Sequence, residues 1–118
     1  MRRILIALTL VALCGSVGSA QKPISPAAQL GAIIKQAEVD LEFEAAIPRY
    51  KKFIAEHGKN AELAAKAHYH LGLAYEKVGS PEARPTFELV AKQFSSQKEA
   101  PLAQARIGGA ASREILQR

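Results

Sequence analysis

The side chains of this chain with the greatest potential for chemistry are three histidines, His57, His68 and His70, and a single cysteine, Cys14. His68 and His70 are two residues apart, which separates them by about 200° around a helix, so they cannot share a metal ion as an i, i+4 pair does. His57 is remote from both in sequence. No serine lies in a Gly-x-Ser-x-Gly elbow, and no glycine-rich phosphate loop is present. We therefore predict no catalytic residue, no metal site and no cofactor.

The first twenty residues are typical of a secretory signal peptide. Arg2 and Arg3 form a positive start, an apolar run follows over 4–13, and small residues at 18–20 offer a cleavage site. The apolar run is shorter than the ~20 residues of a membrane-spanning helix. The chain has 118 residues and a formal charge of +5; removal of residues 1–20 takes away Arg2 and Arg3 and leaves 98 residues at +3. The exported chain then contains no cysteine, so it must be held together by packing alone.

Cys14 allows a second interpretation of this segment. In a bacterial lipoprotein signal, a small residue directly precedes a cysteine that becomes lipidated and anchors the chain. Val11 and Ala12 suit that pattern, but Leu13 is too large for the position before the cysteine. We therefore expect cleavage after Ala20, with membrane attachment only if Cys14 is lipidated; the mass of the mature N-terminus distinguishes the two. Residues 21–25 form a short linker to the domain at 26–118.

The rest of the chain predicts an all-α fold of about five helices. Apolar residues recur at helical spacing, and no stretch alternates as a half-buried strand does. The expected apolar faces are Leu30, Ile33, Ile34, Ala37 and Leu41; Ala46, Ile47, Tyr50, Phe53 and Ile54; Ala64, Ala67, Leu71, Ala74, Tyr75 and Val78; Ala83, Phe87, Val90, Ala91 and Phe94; and Ala103, Ile107, Ala110, Ala111 and Ile115. Short connections make neighbouring helices antiparallel.

Residues that start and stop helices set the expected boundaries. Helix starts are predicted at Ser25-Pro26 and at Ser80-Pro81-Glu82. A further start is predicted with Asn60 as its cap, and another with Ser96 and Glu99 as a capping box. Gly58 and Gly79 predict left-handed helix ends. The stretch 40–43 has no glycine or proline, so the first two helices could also continue into each other with a bend.

An internal repeat organises the helices. A shift of 37 residues places Ala46, Pro48, Tyr50 and Phe53 on Ala83, Pro85, Phe87 and Val90. A shift of 36 places Ala64, Ala67, Leu71 and Gly72 on Ala100, Ala103, Ile107 and Gly108. A helix-pair period of this length predicts an antiparallel helix-pair solenoid. Small residues such as Gly72 would let the paired helices approach, and large ones such as Phe87 would fill the space between them.

These motifs resemble the tetratricopeptide repeat (TPR). The best match is Leu71-Gly72-x-x-Tyr75, followed by Gly79, Ala83, Phe87 and Val90. The stretch 43–110 is also similar to the repeats of periplasmic Tol-Pal-associated cell-division coordinators and outer-membrane assembly lipoproteins. The runs that carry this second likeness are Ala46-Ile47-Pro48-Arg49-Tyr50-Lys51-Lys52-Phe53-Ile54 and Ala67-His68-Tyr69-His70-Leu71-Gly72-Leu73-Ala74-Tyr75. The resemblance implies a helical-repeat domain of TPR type.

The resemblance also implies binding of a peptide or protein on the concave wall that the first helix of each repeat forms. Carried over by position, that wall consists of Lys66, Tyr69, Leu73, Glu76 and Lys77, and of Leu102, Ala105, Gly109 and Arg113. A basic and aromatic wall would suit an acidic tail or a peptide carboxylate. In the competing interpretation, Lys66 and Lys77 are ordinary solvated charges and Tyr69 covers the core.

Together these patterns indicate an exported protein–protein interaction module of the bacterial cell envelope, periplasmic or secreted, and not an enzyme. The alternative is a lipid-anchored accessory subunit of an outer-membrane or Tol-Pal-type complex. The last alternative is a small cell-wall hydrolase. The sequence gives it little support, because the eleven acidic residues are spread along the helices instead of being paired at a pocket. We expect no nucleic-acid partner, since no aromatic-interleaved basic motif accompanies Arg49, Lys51 and Lys52. About two and a half repeats are short for such an array, so a partner or self-association should cover an end.

Overall fold

The computed structural model describes residues 23–116, with side-chain surroundings as far as residue 109, and these residues form a helical-repeat solenoid. The helices are α1 (Pro26–Ile34), α2 (Phe43–His57), α3 (Ala61–Lys77), α4 (Ala83–Gln93) and α5 (Glu99–Leu116), and a short π-helix, Lys35–Val39, extends α1. The prediction of an all-α chain with five helices is confirmed over this range. The predicted signal peptide, with Cys14, and the first two linker residues lie outside the described residues.

The first helix begins where the sequence predicts and ends differently. The Ser25 hydroxyl accepts a hydrogen bond from the Ala28 backbone N–H at 3.2 Å, and Pro26 occupies the first helical position. At the other end the turn widens, because the Asp40 N–H donates to the Lys35 carbonyl five residues back. Leu41 then takes a φ of 59° and is 68% exposed. The first two helices therefore do not continue into each other, and the prediction that Leu41 lies on the buried face is wrong.

The two predicted glycine stops have different outcomes. Gly79 has a φ of 72°, which confirms a left-handed end after α3. Gly58 has a φ of −62°, so the prediction of a left-handed end after α2 is wrong. The chain instead turns with right-handed backbone and restarts at once, because the Asn60 side chain accepts a hydrogen bond from the Leu63 N–H at 3.2 Å. The cap at Asn60 is confirmed.

The starts of α4 and α5 lie later than expected. Residues 80–82 form a turn in which the Ser80 hydroxyl accepts a hydrogen bond from the Glu82 N–H at 3.3 Å, and α4 begins only at Ala83. The helix α5 begins at Glu99 itself. Glu99 is only 3% exposed, so its side chain turns into the protein instead of back toward Ser96. The capping-box prediction is therefore wrong: a capping box would place Glu99 in the third helical position after Ser96.

The helices pack in chain order. Helix α2 packs on α3, α3 on α4 and α4 on α5, and α3 also contacts both α1 and α5. The odd-numbered helices thus lie next to one another along one side of the array. Two clusters of buried side chains fill the interior. The first contains Leu30, Ile33, Ala37, Ala46, Tyr50, Phe53, Ala67, Leu71, Ala74 and Tyr75, and the second Phe87, Val90 and Ala103.

The internal repeat is visible in the packing. Tyr50 and Phe87 occupy equivalent positions and are 0% and 2% exposed; Ala67 and Ala103 are also equivalent, and both are fully buried. The equivalence ends at Gly72 and Gly108. The ring of Phe87 covers Gly72, whereas a Cβ placed on Gly108 would meet no atom within 4 Å. The position in α5 that corresponds to a packed helix contact in α3 is therefore open.

Tyr50 brings a polar group into the core. Its hydroxyl is buried and has no hydrogen-bond partner among the described residues. Burial, and secondarily the negative charge of Glu38, raises the pKa of Tyr50 far above the ordinary tyrosine value. The next repeat uses a phenylalanine, Phe87, at the equivalent position, and a phenylalanine at position 50 would leave no polar atom to bury.

We therefore expect Tyr50→Phe to stabilise the fold by about 1 kcal/mol at neutral pH, and by more in alkali. Above about pH 10 the unfolded chain loses the Tyr50 proton while the folded chain keeps it, so the wild-type free energy of unfolding falls as pH rises. The part of this fall in unfolding free energy that Tyr50 causes is about 1.4 kcal/mol per pH unit, and it is absent from the variant. Urea unfolding at pH 7 and pH 11 measures both effects. An equal pH dependence in the two proteins would contradict the burial of an unpaired hydroxyl.

Candidate functional site

The candidate site is the outer surface of α1, α3 and α5, which we call the odd-helix face. Its three helices are joined by polar contacts between side chains far apart in sequence. The His70 Nδ1 lies 3.1 Å from a Glu38 carboxylate oxygen, which links α3 to the end of the first helix. The Arg106 guanidinium donates to Glu76 at 2.7 Å, which links α5 to α3. These pairs hold neighbouring helices of the face in register.

The predicted residues of α3 are on this face but are not equally available. Lys77 is exposed, and Lys66 is half-buried. Tyr69 lies against Phe87, with ring centroids 5.9 Å apart, and both Tyr69 and Leu73 pack on the second buried cluster. Tyr69 and Leu73 therefore cover core with one side and face solvent with the other. The structure shows that Tyr69 covers the core, and contact of its solvent-facing side with a partner stays a prediction.

The predicted residues of α5 are more open. Leu102 is 50% exposed, and Ala105 and Gly109 are exposed as well. Arg113 lies on the helical backbone of α5, but its side chain is outside the described part of the chain. Glu76, which the resemblance places in the wall, forms an ion pair with Arg106 of α5. The structure thus brings the α3 residues next to α5 through that ion pair.

Sequence reasoning did not single out Glu38, Arg106 or His70 as members of this face. A signal was present for one of them: the shift of 36 residues that maps α3 on α5 places His70 on Arg106. Both residues receive an acidic partner from the preceding odd-numbered helix or its π-helical end. The repeat therefore has a basic position whose acidic partner lies about thirty residues earlier in the sequence. Helical periodicity relates only residues within one helix, so it does not predict this pair.

The electrostatic centre of the face is His70. Burial lowers the pKa of the His70 imidazole, while the Glu38 carboxylate, by its charge and its hydrogen bond, acts in the opposite direction. Lys66 lowers the same pKa and Glu99 raises it, so both charges lie near the ring. Glu99 is buried, and one of its carboxylate oxygens has no hydrogen-bond partner among the described residues. The centre of the face therefore contains charges of both signs close together.

His68 points away from this group. Its ring packs near Phe94, with ring centroids 5.7 Å apart, and burial lowers its pKa. His68 and His70 therefore face different helices, as their spacing predicts. Over residues 23–116, no set of three or more His, Cys, Asp and Glu side chains among those described, which end at residue 109, is placed to hold a metal ion. In the same range, no helix has the length and apolar character needed to cross a bilayer.

Comparison with known proteins adds no relative to this description. No protein-family model, curated protein or solved structure matches the chain.

Proposed function

We propose that this chain is an exported helical-repeat module that binds a protein or peptide partner through the odd-helix face. The observation that carries the proposal is the make-up of the face around α3 and α5. Leu102 is 50% exposed, and the partly buried Tyr69 and Leu73 lie among charged residues on helices that the Glu76–Arg106 ion pair joins. Apolar anchors within a polar rim, on rigid elements, are typical of surfaces that bind proteins.

The resemblance of Leu71-Gly72-x-x-Tyr75 and its neighbours to the tetratricopeptide repeat supports the same proposal, since arrays of this kind bind peptides on the corresponding wall. The leader predicted at residues 1–20 supports a periplasmic or secreted location, where the partner would be a component of the bacterial envelope. Lipidation at Cys14 would make the same module an anchored subunit of an envelope complex.

The charges of α3 give the direct test. We expect Lys66→Glu with Lys77→Glu to weaken partner binding about tenfold, because two cations on the face become anions. Chemical crosslinking in the native envelope first identifies the partner, and titration of the purified pair then measures the dissociation constant. Circular dichroism checks that the variant keeps its helical content.

A matched control carries the same charge change elsewhere. Lys59 lies in the turn before α3 and Lys92 on α4, and both are exposed. Reversal of Lys59 and Lys92 should leave the dissociation constant within about twofold of wild type. Equal losses in the two double variants would mean that net charge alone attracts the partner, and an unchanged constant in the first would refute binding at the odd-helix face.

A further inference from the structure

A second surface lies between α1 and α2, at the start of the array. The two helices leave an open groove of about 360 Å³, which we call the α1–α2 groove. Its floor is apolar and consists of Ala28, Ala32 and Ile33 from the first helix and Phe53 from the second. The volume is at the lower end of the range for ligand-binding clefts. None of its lining residues belongs to the concave wall predicted from the sequence.

Part of the apolar surface of the groove is freely accessible. Ile33 and Phe53 are buried beneath it, but Ala28 and Ala32 are exposed. Ile24, which lies at the mouth of the groove just before α1, is 64% exposed. Ala28 and Ala32 are one helical turn apart and carry only methyl groups, so the backbone of another helix can approach closely there. The shape suits large apolar side chains presented at helical spacing.

The rim of the groove carries an excess of positive charge. Arg49 and Lys52 lie one turn apart along α2, and Glu56 is the one acidic residue among those that line the groove. Lys52 is only loosely paired with Glu56, at 4.0 Å, and its side chain is 78% exposed. Arg49 donates to the Gln36 side chain, which leaves its charge without an acidic partner in that contact. Lys51, in contrast, lies over the Tyr75 ring on another side of α2.

We propose that the α1–α2 groove binds an amphipathic helix of a partner protein, with large apolar side chains for the floor and acidic side chains for Arg49 and Lys52. This rests on the proposed function and gives the partner a stated chemistry and a second point of attachment. A second copy of the chain is a poor occupant, because two exported chains, each of charge +3 after loss of Arg2 and Arg3, repel each other. A bilayer surface fits less well, since the rim offers two cations on one helix instead of a broad basic area.

The test uses three synthetic amphipathic peptides of about fifteen residues with the same leucine face. Their flanking positions carry glutamate, glutamine or lysine. The protein is expressed from its full reading frame, so that any cleavage of the predicted leader takes place in the host, and the product is then purified. Fluorescence anisotropy gives each dissociation constant, and amide chemical shifts locate the contact. We expect the glutamate peptide to bind about tenfold more tightly than the lysine peptide, with the largest shifts at Ala28 and Ala32.

Two double variants assign the preference to the groove. Arg49→Glu with Lys52→Glu should reverse the order of the three peptides, whereas Lys59→Glu with Lys92→Glu, which changes the net charge equally and touches neither surface, should preserve it. Arg49, Lys52, Lys59 and Lys92 are all exposed, so both proteins should keep wild-type helical content. A third variant, Ala32→Glu, adds an anion to the floor of the groove. It should lower the affinity for the glutamate peptide more than the affinity for the other two.

Several results would overturn the inference. Equal affinity for the three peptides, or an order that survives reversal of Arg49 and Lys52, would remove the role of the rim. The groove would be assigned to lipid if the protein sediments with phosphatidylglycerol vesicles, loses that sedimentation when Arg49 and Lys52 are reversed, and shows no preference among the peptides. Self-association that the same variant abolishes would assign it to a second copy. In each case, loss of native partner binding on reversal of Lys66 and Lys77 would leave the proposed function standing.

Discussion

Gly72→Ala is expected to destabilise the fold by about 2 kcal/mol, although alanine is the better helix former. A Cβ on Gly72 would lie 2.7 Å from one Phe87 ring carbon and 2.9 Å from another. Phe87 is 2% exposed and packs with Val90 and Ala103, so its ring cannot swing into solvent to make room. The gain in helix propensity, about 1 kcal/mol, is smaller than the cost of moving a packed aromatic ring. Urea unfolding followed by circular dichroism measures the change.

The equivalent position of the next repeat supplies the control. Gly108 is also helical, but a Cβ there would meet no atom within 4 Å. Gly108→Ala should therefore stabilise α5 by about 0.5–1 kcal/mol. The same substitution thus has opposite signs at two positions that the repeat relates. A loss of stability at both positions, or a gain at both, would contradict the contact between Gly72 and Phe87.

Phe87→Ala is expected to cost about 3–5 kcal/mol, the largest effect of any substitution considered. The Phe87 ring lies at the junction of three helices: it covers Gly72, stacks obliquely on Tyr69 and shares a buried cluster with Ala103 of α5. Its removal leaves a cavity that the three packed helices can close only in part. Small domains are stable by about 5–15 kcal/mol, so a large fraction of the variant should unfold at modest urea concentrations.

Two comparisons make the Phe87 prediction specific. Leu102→Ala removes a large apolar side chain that is 50% exposed, and it should change stability by about 0.5 kcal/mol or less. The double variant Gly72→Ala with Phe87→Ala has no clash, because the ring that blocks the methyl group is gone. Its loss should be smaller than the sum of the two single losses by at least about 1 kcal/mol. Additive losses would show that the two residues are not in contact.

Much of the fold could be predicted from the sequence because local signals decide it. Ser25 and Asn60 cap the helices that they were expected to cap, and Gly79 takes the left-handed conformation. Leu41 and Gly58 show where local signals fail. Leu41 continues the apolar spacing of α1, but the π-turn over Lys35–Val39 and a positive φ place it in solvent. Apolar periodicity assumes a constant twist, and a single widened turn breaks that assumption.

The candidate site was less predictable. The repeat places Tyr69, Leu73 and Lys77 on one helix surface and leaves open whether Tyr69 covers the core. It does not show that Leu73 also packs on buried residues. The pairs that join Glu38 to His70 and Glu76 to Arg106 depend on how neighbouring odd-numbered helices are offset. That offset results from the packing of side chains between the helices, and no pattern within one helix specifies it. The partner itself remains a proposal from surface chemistry.

The order of packing has a consequence for how the chain acquires its structure. Each extensive interface joins helices that follow one another directly, and the remaining contacts link helices of the same side one repeat apart. Few contacts therefore require distant parts of the chain to meet, so the entropic cost of loop closure before the first stabilising contact is small. Helical topologies of such low contact order fold in microseconds to milliseconds. A chain exported as proposed, unfolded through a membrane, would therefore fold within about milliseconds of emerging.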